Sequence, residues 1–289
     1  INNGRLNEFS VRAILARVNL QQGDYQAVES LTDEVIASGA YALEGSPVNY
    51  FENEEASSES VFDILHNEQD NPGVNDALPT FYAPASRGGR GDVTINTDYL
   101  NALTAAVPQS QLDALPAGFT VSDVRQTDLI ELDGAGNPVT LKYPDGDNTA
   151  DNAPVMRYAD VLLMNSEAKA QLAADVAAMP AEVLEQVNDL RRRSLQAVNP
   201  NGLATGFDEE LAYEKADFNN TKQEVIDAIL LERRVELAFE GQRKHDLARL
   251  GQPILGDAPD ANNVIFPIPQ EELDANDVIA QNPGYGTNN

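Results

Sequence analysis

The stretch LLERRVELAFEGQRKHDLARL, residues 230–250, spaces charged groups as an acid–base site could. In a single helix, positions 229, 233, 236, 240, 243 and 247 share one stripe. They hold Ile229, Arg233, Glu236, Glu240, Arg243 and Leu247, so Arg-Glu-Glu-Arg is bracketed by apolar residues. Glu232 adds a carboxylate one turn before Glu236. A carboxylate pair could do acid–base work. The same groups could instead form a partly buried ion network that locks helix packing. The network is favoured, because each Glu has an Arg within one turn and no nucleophile or His pair accompanies them. From 221 to 251, Asp246 included, six acids face six bases, in a chain of formal net charge -28. Buried charge needs a partner, so local neutrality points to an interior position.

Asp160 and Glu167, one heptad apart and close to Arg157, could be metal ligands. They are better read as acceptors for Arg191, Arg192, Arg193 or the backbone. The loop PDGDNTADN, 144–152, offers Asp145, Asp147 and Asp151 but lacks the glycine and closing Glu of a calcium loop. Arg90-Gly91-Asp92 is too short a match to an adhesion tripeptide to carry weight. Asn219-Asn220-Thr221 reads as a helix N-cap rather than a glycosylation site. There is no phosphate-binding Gly loop, nucleophile elbow or H-E-x-x-H. No catalytic residue, metal or cofactor is expected.

Composition narrows the field further. The chain has 289 residues, no Cys and two His, His66 and His245. Disulfides, thiolate chemistry and a lipidated Cys within this stretch are excluded, and a His-rich metal site nearly so. Acids outnumber bases 47 to 19, and there is no basic patch to release counterions, so nucleic acid is not a partner. Residues 18–86 hold 13 acids and no base. An acidic surface poor in Lys fits a protein working in high salt. No apolar run approaches a membrane span. INNGRLNEFS has no basic n-region followed by an apolar run, and it begins close to a helix start. A mature or truncated chain is expected.

These residues must be positioned by helices. Leu6, Phe9, Ala13, Ala16 and Leu20 recur at helical spacing; after Gly23-Asp24 so do Ala27, Val28, Leu31, Val35 and Ile36. This predicts a helical hairpin over 1–43 of tetratricopeptide-like size, which needs a neighbour to cover its face. Residues 44–155 read as an irregular, ligand-facing region. It has a strand at SVFDILH, 60–66, and a hairpin around Asp133-Gly134-Ala135-Gly136. Helices return at 157–173, 181–195 and 221–250, giving a scaffold over 156–251. The tail, 252–289, reads as an extended cap packed on the helices by Ile265, Phe266 and Ile268, with one short turn at its Glu-Glu-Leu. The fold class is mostly α, with a few short strands in a long loop region. Tyr50, Phe51, Phe81, Tyr82 and Tyr99 gather in the irregular part, where a ring can pack a loop or stack on a sugar. The candidate ligand residues are Tyr50, Phe81, Tyr82, Arg87, Arg90 and Tyr99. The two arginines there could read acidic groups.

Several segments together resemble the SusD/RagB family of outer-membrane nutrient-binding lipoproteins. They are APVMRYADVLLMNSEAKAQL (153–172), VNDLRRRS (187–194), LLERRVELAFEGQRKHDLARLG (230–251) and IFPIPQEELDANDVIAQNPGY (265–285). The start, 4–28, looks like the family's second helical hairpin, and SESVFDI like the strand that follows. The resemblance implies an α-α superhelix of tetratricopeptide-like repeats. It implies a non-enzymatic protein, lipid-anchored on the extracellular face of the outer membrane. Such a protein passes oligosaccharides or peptides to a SusC-like TonB-dependent β-barrel transporter. Glu232, Arg233, Glu236, Glu240, Gly241, Arg243 and Asp246 match the family's pattern and would hold the scaffold. Lys244-His245 depart from it, where an aromatic usually precedes Asp-Leu. The family's signal peptide, lipid-bearing Cys and first repeat are not in this stretch, so the C-terminal portion of a longer chain is expected. The alternatives are a peptide-binding relative, a tetratricopeptide-like adaptor without a small ligand and, last, a glycoside hydrolase, which would need two carboxylates roughly 5–9 Å apart.

Overall fold

The first helix, α1 (Glu8–Gln22), starts where Asn7 caps it. Asn7 Oδ1 accepts from the amides of Phe9 and Ser10, and Ser10 Oγ accepts from Asn7 N at 2.7 Å. Gly23, at φ +74°, ends the helix in a left-handed conformation that costs glycine little. Asp24 then caps α2 (Tyr25–Ala37), so the two run as a hairpin. The computed structural model describes residues 4–51, 57–66, 78–144, 146, 152–219, 221–254, 256, 262, 265–276 and 278–286. Asp145, Asp147 and Asp151 lie outside the described residues.

The hairpin's neighbour is the helix α8 (Tyr158–Leu172), buried along most of its length. Val161, Met164 and Ala168 share a core with Ala13, Ala16, Leu20, Val28 and Val35 of the hairpin. On its other side, Ala159, Leu163 and Ala170 pack with α9 (Glu182–Ser194) and α10 (Lys222–Glu236) through Val183, Val187, Leu190, Val225 and Ile229. A helix covered on opposite faces has no solvent side, and α8 buries Asp160, Asn165, Ser166 and Glu167 along with its apolar residues, which is why YADVLLMNSEAKAQL shows little sidedness.

Between α2 and α8 the chain is irregular. It carries the short helices α3 (Pro47–Phe51), α4 (Leu78–Tyr82), α5 (Thr97–Ala105), α6 (Gln109–Ala114) and α7 (Val124–Thr127). Its strands are β1 (Ser60–Ile64), β2 (Thr120–Asp123), β3 (Ile130–Leu132), β4 (Pro138–Thr140) and β5 (Ala153–Arg157). β6 (Leu195–Val198) and β7 (Ala204–Gly206) follow α9. All pairings are antiparallel: β1 with β5, β2 with β6 and β6 with β7, and β3 with β4. The hairpin expected around 133–136 is β3–β4; Asp133 Oδ1 ties its loop by accepting from Ala135 N and Asn137 N, both at 2.8 Å. β1 departs from simple alternation. Its register shifts on both sides of Phe62, and Ser60, Val61 and Asp63 are all buried. β5, which holds Arg157 opposite Ser60, was not expected from the sequence.

The single helix expected over 221–250 is two helices. α10 stops at Glu236, and α11 runs Gln242–Arg249. Between them Phe239 sits at φ +66° and Gly241 at φ +77°. A left-handed residue with a side chain costs about 1–2 kcal/mol. The Phe239 ring is lodged between Tyr99 and Tyr82, with centroids at 5.0 and 6.3 Å. The six-residue stripe is therefore broken after Glu236.

Ile1–Glu240 forms one compact unit and Gly241–Asn289 a second. Within the second, Gln281 bonds both N and O of Ile268, at 2.8 and 2.9 Å, and Tyr285 Oη donates to Ile265 O. The FPIP and QNPGY segments are thus stitched together. A short helix, α12 (Gln270–Ala275), takes up the expected turn. Ile265 and Phe266 are exposed, and the Lys244 ammonium lies 4.4 Å from the Phe266 ring centroid.

Candidate functional site

The last carbonyls of a helix lack partners within it. At the end of α10 other elements supply them. Val235 O accepts from Tyr99 Oη at 3.2 Å. Glu236 O accepts from Lys142 Nζ at 2.7 Å and Arg157 Nη2 at 3.1 Å. Phe239 O accepts from Tyr143 Oη at 3.2 Å. Two of these donors are cations at a helix C-terminus, where the macrodipole favours them. Three pieces of the irregular region, around 99, 142 and 157, are pinned to one helix end.

The side chains there form a connected set of ion pairs. Glu236 lies 3.0 Å from Arg157, 2.6 Å from Arg193 and 3.5 Å from Arg125. Glu240, just past the helix, is held at 2.7 Å by Arg157 and 2.6 Å by Lys142. Glu59, beside β1, joins Arg157 to Arg193. Arg125 forks onto Asp123 and also binds Glu232, which stands 3.8 Å from Arg191. Five cations (Arg125, Lys142, Arg157, Arg191, Arg193) thus meet five carboxylates (Glu59, Asp123, Glu232, Glu236, Glu240). Their side chains are all nearly inaccessible. Burial alone would raise Glu236 and Glu240. The cations outweigh it, Arg193, Arg157, Arg125 and Lys142 around Glu236 and Arg157 and Lys142 around Glu240, and both stay below the usual carboxylate range. Burial also lowers the Lys142 ammonium, against the pull of Glu240. Such a cluster gives specificity of packing, and removing one partner leaves an uncompensated buried charge.

The network differs from the one the helical stripe implied. Glu232, Glu236 and Glu240 take partners from other elements: Arg125, Lys142, Arg157 and Arg193. Arg233 points instead to Asp160 on α8, which Arg17 also grips, Nε to Oδ2 at 3.0 Å. Burial pulls Asp160 up, but Arg233 and Arg17 hold it well below its ordinary value. Arg191, Arg192 and Arg193, expected to serve Asp160 or Glu167, go elsewhere. Arg191 donates to Leu211 O and Gln111 Oε1, and Arg192 pairs on the surface with Glu185. Glu167 is buried within α8. Arg243 is exposed on α11, and Asp246 pairs with Arg249 at 2.9 Å. Sequence reasoning missed Glu59, Asp123, Arg125 and Lys142. A signal was present: Arg125 and Lys142 are the only bases between 91 and 156.

Rings cover this network. Tyr50, Phe51, Tyr143, Tyr82, Phe239 and Tyr99 form a chain of neighbours with centroids 5.0 to 6.3 Å apart. Arg157 lies over Tyr50 and Phe51, and Lys142 over Phe51 at 4.8 Å. Tyr50 Oη donates to Asp63 Oδ1 at 2.8 Å, and Ser60 Oγ also donates to that carboxyl. Burial raises both Tyr50 and Asp63.

The six expected ligand residues therefore divide. Tyr50 and Tyr99 are buried, and their hydroxyls are committed to Asp63 and to Val235 O. Phe81, Arg87 and Arg90 are exposed, and Tyr82 is half-buried. They sit on a tight turn, 78–92. Arg90 N donates to Thr80 O, Gly91 N to Ala83 O and Asp92 N to Phe81 O, at 2.8 to 3.0 Å. A Cβ on Gly89 would fall 2.0 Å from Ala83 O, so only glycine fits. Arg90 stacks over Phe81 at 5.0 Å and pairs with Asp92 at 2.7 Å. Arg87 forks onto Glu131 of β3 at 3.1 to 3.2 Å.

The architecture has known counterparts. A family model described as the SusD family matches residues 138–262. A SusD-like protein of Formosa agariphila is 26% identical over 98% of this chain and 60% of its own length. The crystal structure of a SusD superfamily protein from Bacteroides vulgatus superposes with a TM-score of 0.72 at 27% identity. It covers 99% of this chain and 61% of that one. Surface glycan-binding protein A from Bacteroides uniformis shares the fold, with a TM-score of 0.67 at 20% identity over 96% of this chain and 61% of its own. The fold is the helical, tetratricopeptide-like architecture of the SusD superfamily. By family model, curated relative and solved structure alike, the chain is similar to the SusD/RagB family. It spans about 60% of the length of these relatives.

Proposed function

We propose that this chain belongs to a non-enzymatic cell-surface protein that captures oligosaccharides and delivers them to a SusC-like TonB-dependent transporter in the outer membrane. Similarity to the SusD/RagB family supports this reading. So does the glycan-binding role carried by the name of the Bacteroides uniformis neighbour. Within this chain the observation that carries it is the rigid turn 78–92, which presents Phe81 and Tyr82 beside paired arginines. A pyranose face stacks on such a ring while its hydroxyls take the polar neighbours. The turn is backed by the aromatic chain, so its shape is set before a ligand arrives, which lowers the ordering cost of binding. Lipid anchoring on the extracellular face is part of the same proposal; no helix among the described residues is long and apolar enough to cross a membrane.

Affinity electrophoresis against a panel of polysaccharides, with a peptide library as control, tests the capture step. Retardation by a glycan, lost in Phe81→Ala/Tyr82→Ala, is expected. Binding confined to peptides would move the protein to the peptide-binding reading. A pull-down from detergent-solubilised outer membrane tests delivery: a large β-barrel receptor in equal amount is expected, and recovery of soluble partners alone would argue for an adaptor.

A further inference from the structure

Arg87 and Arg90 invite the reading that the loop face recognises acidic groups. The geometry points the other way: we infer that this face takes an uncharged oligosaccharide and excludes sulfated or uronate-bearing ones. The inference rests on the glycan-binding reading above. In the segments 78–92 and 129–143 the bases are Arg87, Arg90 and Lys142. Each has a carboxylate partner within the protein. Glu131 takes the Arg87 fork through three contacts, Asp92 takes Arg90, and Lys142 is buried against Glu240.

Both exposed carboxylates are anchored. Glu131 lies in β3 opposite Val139, and Asp92 N is tied to Phe81 O. An anion that took either guanidinium would leave the displaced carboxylate beside it, two like charges close together. Asp133 adds a third negative charge at the hairpin tip. The amides and side chain of Asn137, with the amides of Ala135 and Gly136, hold its carboxyl below the ordinary range, so it stays ionised. The two exposed arginines thus each meet a carboxylate, and the neighbouring hairpin tip carries one more, within a chain of formal net charge -28. A neutral sugar meets no such opposition. It can stack on the rings and use the paired carboxylates and guanidinium N–H groups as hydrogen-bond partners in place.

The test is affinity electrophoresis on neutral polysaccharides (laminarin, starch, xyloglucan, galactomannan) and anionic ones (sulfated laminarin, alginate, polygalacturonate). It is run at physiological and at molar salt, where the Debye length falls from about 8 to about 3 Å. Wild-type protein is expected to bind a neutral member and no anionic one at either salt. The double variant Asp92→Asn/Glu131→Gln removes the opposing charge of both carboxylates and is expected to gain about tenfold affinity for sulfated laminarin, one strong charge-assisted contact. Tighter binding of an anionic glycan by wild type would overturn the charge inference and leave the capture reading standing, as would a double variant without the gain. Binding of no glycan at all would remove the capture reading and this inference with it.

Discussion

Two carboxylates in this molecule face arginine forks in much the same way and do different work. Glu236 is gripped by Arg157 and Arg193, with side chains 0 to 5% exposed. Glu131 is gripped by Arg87, with side chains 27 and 43% exposed. The chemistry of each contact is the same; water decides the outcome. In the dry site the pair is held by desolvation on every side, and breaking it strands a charge. In the wet site the pair competes with solvent and contributes little to stability, so its residues are available to a ligand. Aromatic rings divide along the same line. Tyr50 and Tyr99 seal the network, while Phe81 faces solvent. Residue type therefore says little about role here until burial is known.

The comparison is broken most severely by removing the hub. Arg157→Met leaves Glu59, Glu236 and Glu240 without their shared cation and is expected to cost about 3–5 kcal/mol. Urea denaturation checks it, and a shift below about 1 kcal/mol would mean the network is decorative. Acid should attack the same place. Glu236, Glu240 and Asp160 have folded values below their unfolded ones. The stability they give is present above the unfolded range, about pH 4–4.5, and drains away as pH falls through and below it. Asp63, raised mainly by burial, works in the opposite sense and returns part of that loss. Denaturation midpoints measured from neutral pH down to pH 3 should decline most steeply below about pH 4.5; a flat profile would contradict the assignment. A smaller effect separates the seal from the network. Tyr143→Phe removes the hydrogen bond to Phe239 O while keeping the ring between Tyr82 and Phe51. It should cost about 1 kcal/mol by the same denaturation assay.

Local pattern made part of this legible in the sequence. The α1–α2 hairpin shows in its apolar spacing and in Gly23-Asp24. The β3–β4 hairpin shows in its turn residues. The segments at 153–172, 187–194, 230–251 and 265–285 carry the family likeness. The charge balance of 221–251 pointed to an interior position, as Glu232, Arg233 and Glu236 have, but their partners were not legible. Arg125 and Lys142 meet α10 across 107 and 94 residues of chain, and Glu59 meets Arg157 and Arg193 across 98 and 134; no short-range spacing encodes such contacts. The helix break at 237–241 was hidden because charged residues continued the helical period through it. Gly241 was the available warning, and the positive φ of Phe239 could not be anticipated from a residue type that normally avoids it. β5 escaped because a strand of five residues that runs straight into a helix lacks a turn to mark it. Of the ligand candidates, composition could gather the rings into one region but could not sort the sealed ones from the open ones.

One paired measurement tests the central claim most directly: urea denaturation of Glu236→Gln against Glu131→Gln. The substitution is the same and each site pairs with arginine, but Glu236 is buried among Arg125, Arg157 and Arg193 while Glu131 meets Arg87 in contact with solvent. The account predicts a loss of about 3–5 kcal/mol for Glu236→Gln and of less than about 1 kcal/mol for Glu131→Gln. Equal losses, or a larger one at Glu131, would contradict the division between a buried network that holds the fold and an open face that is free to bind.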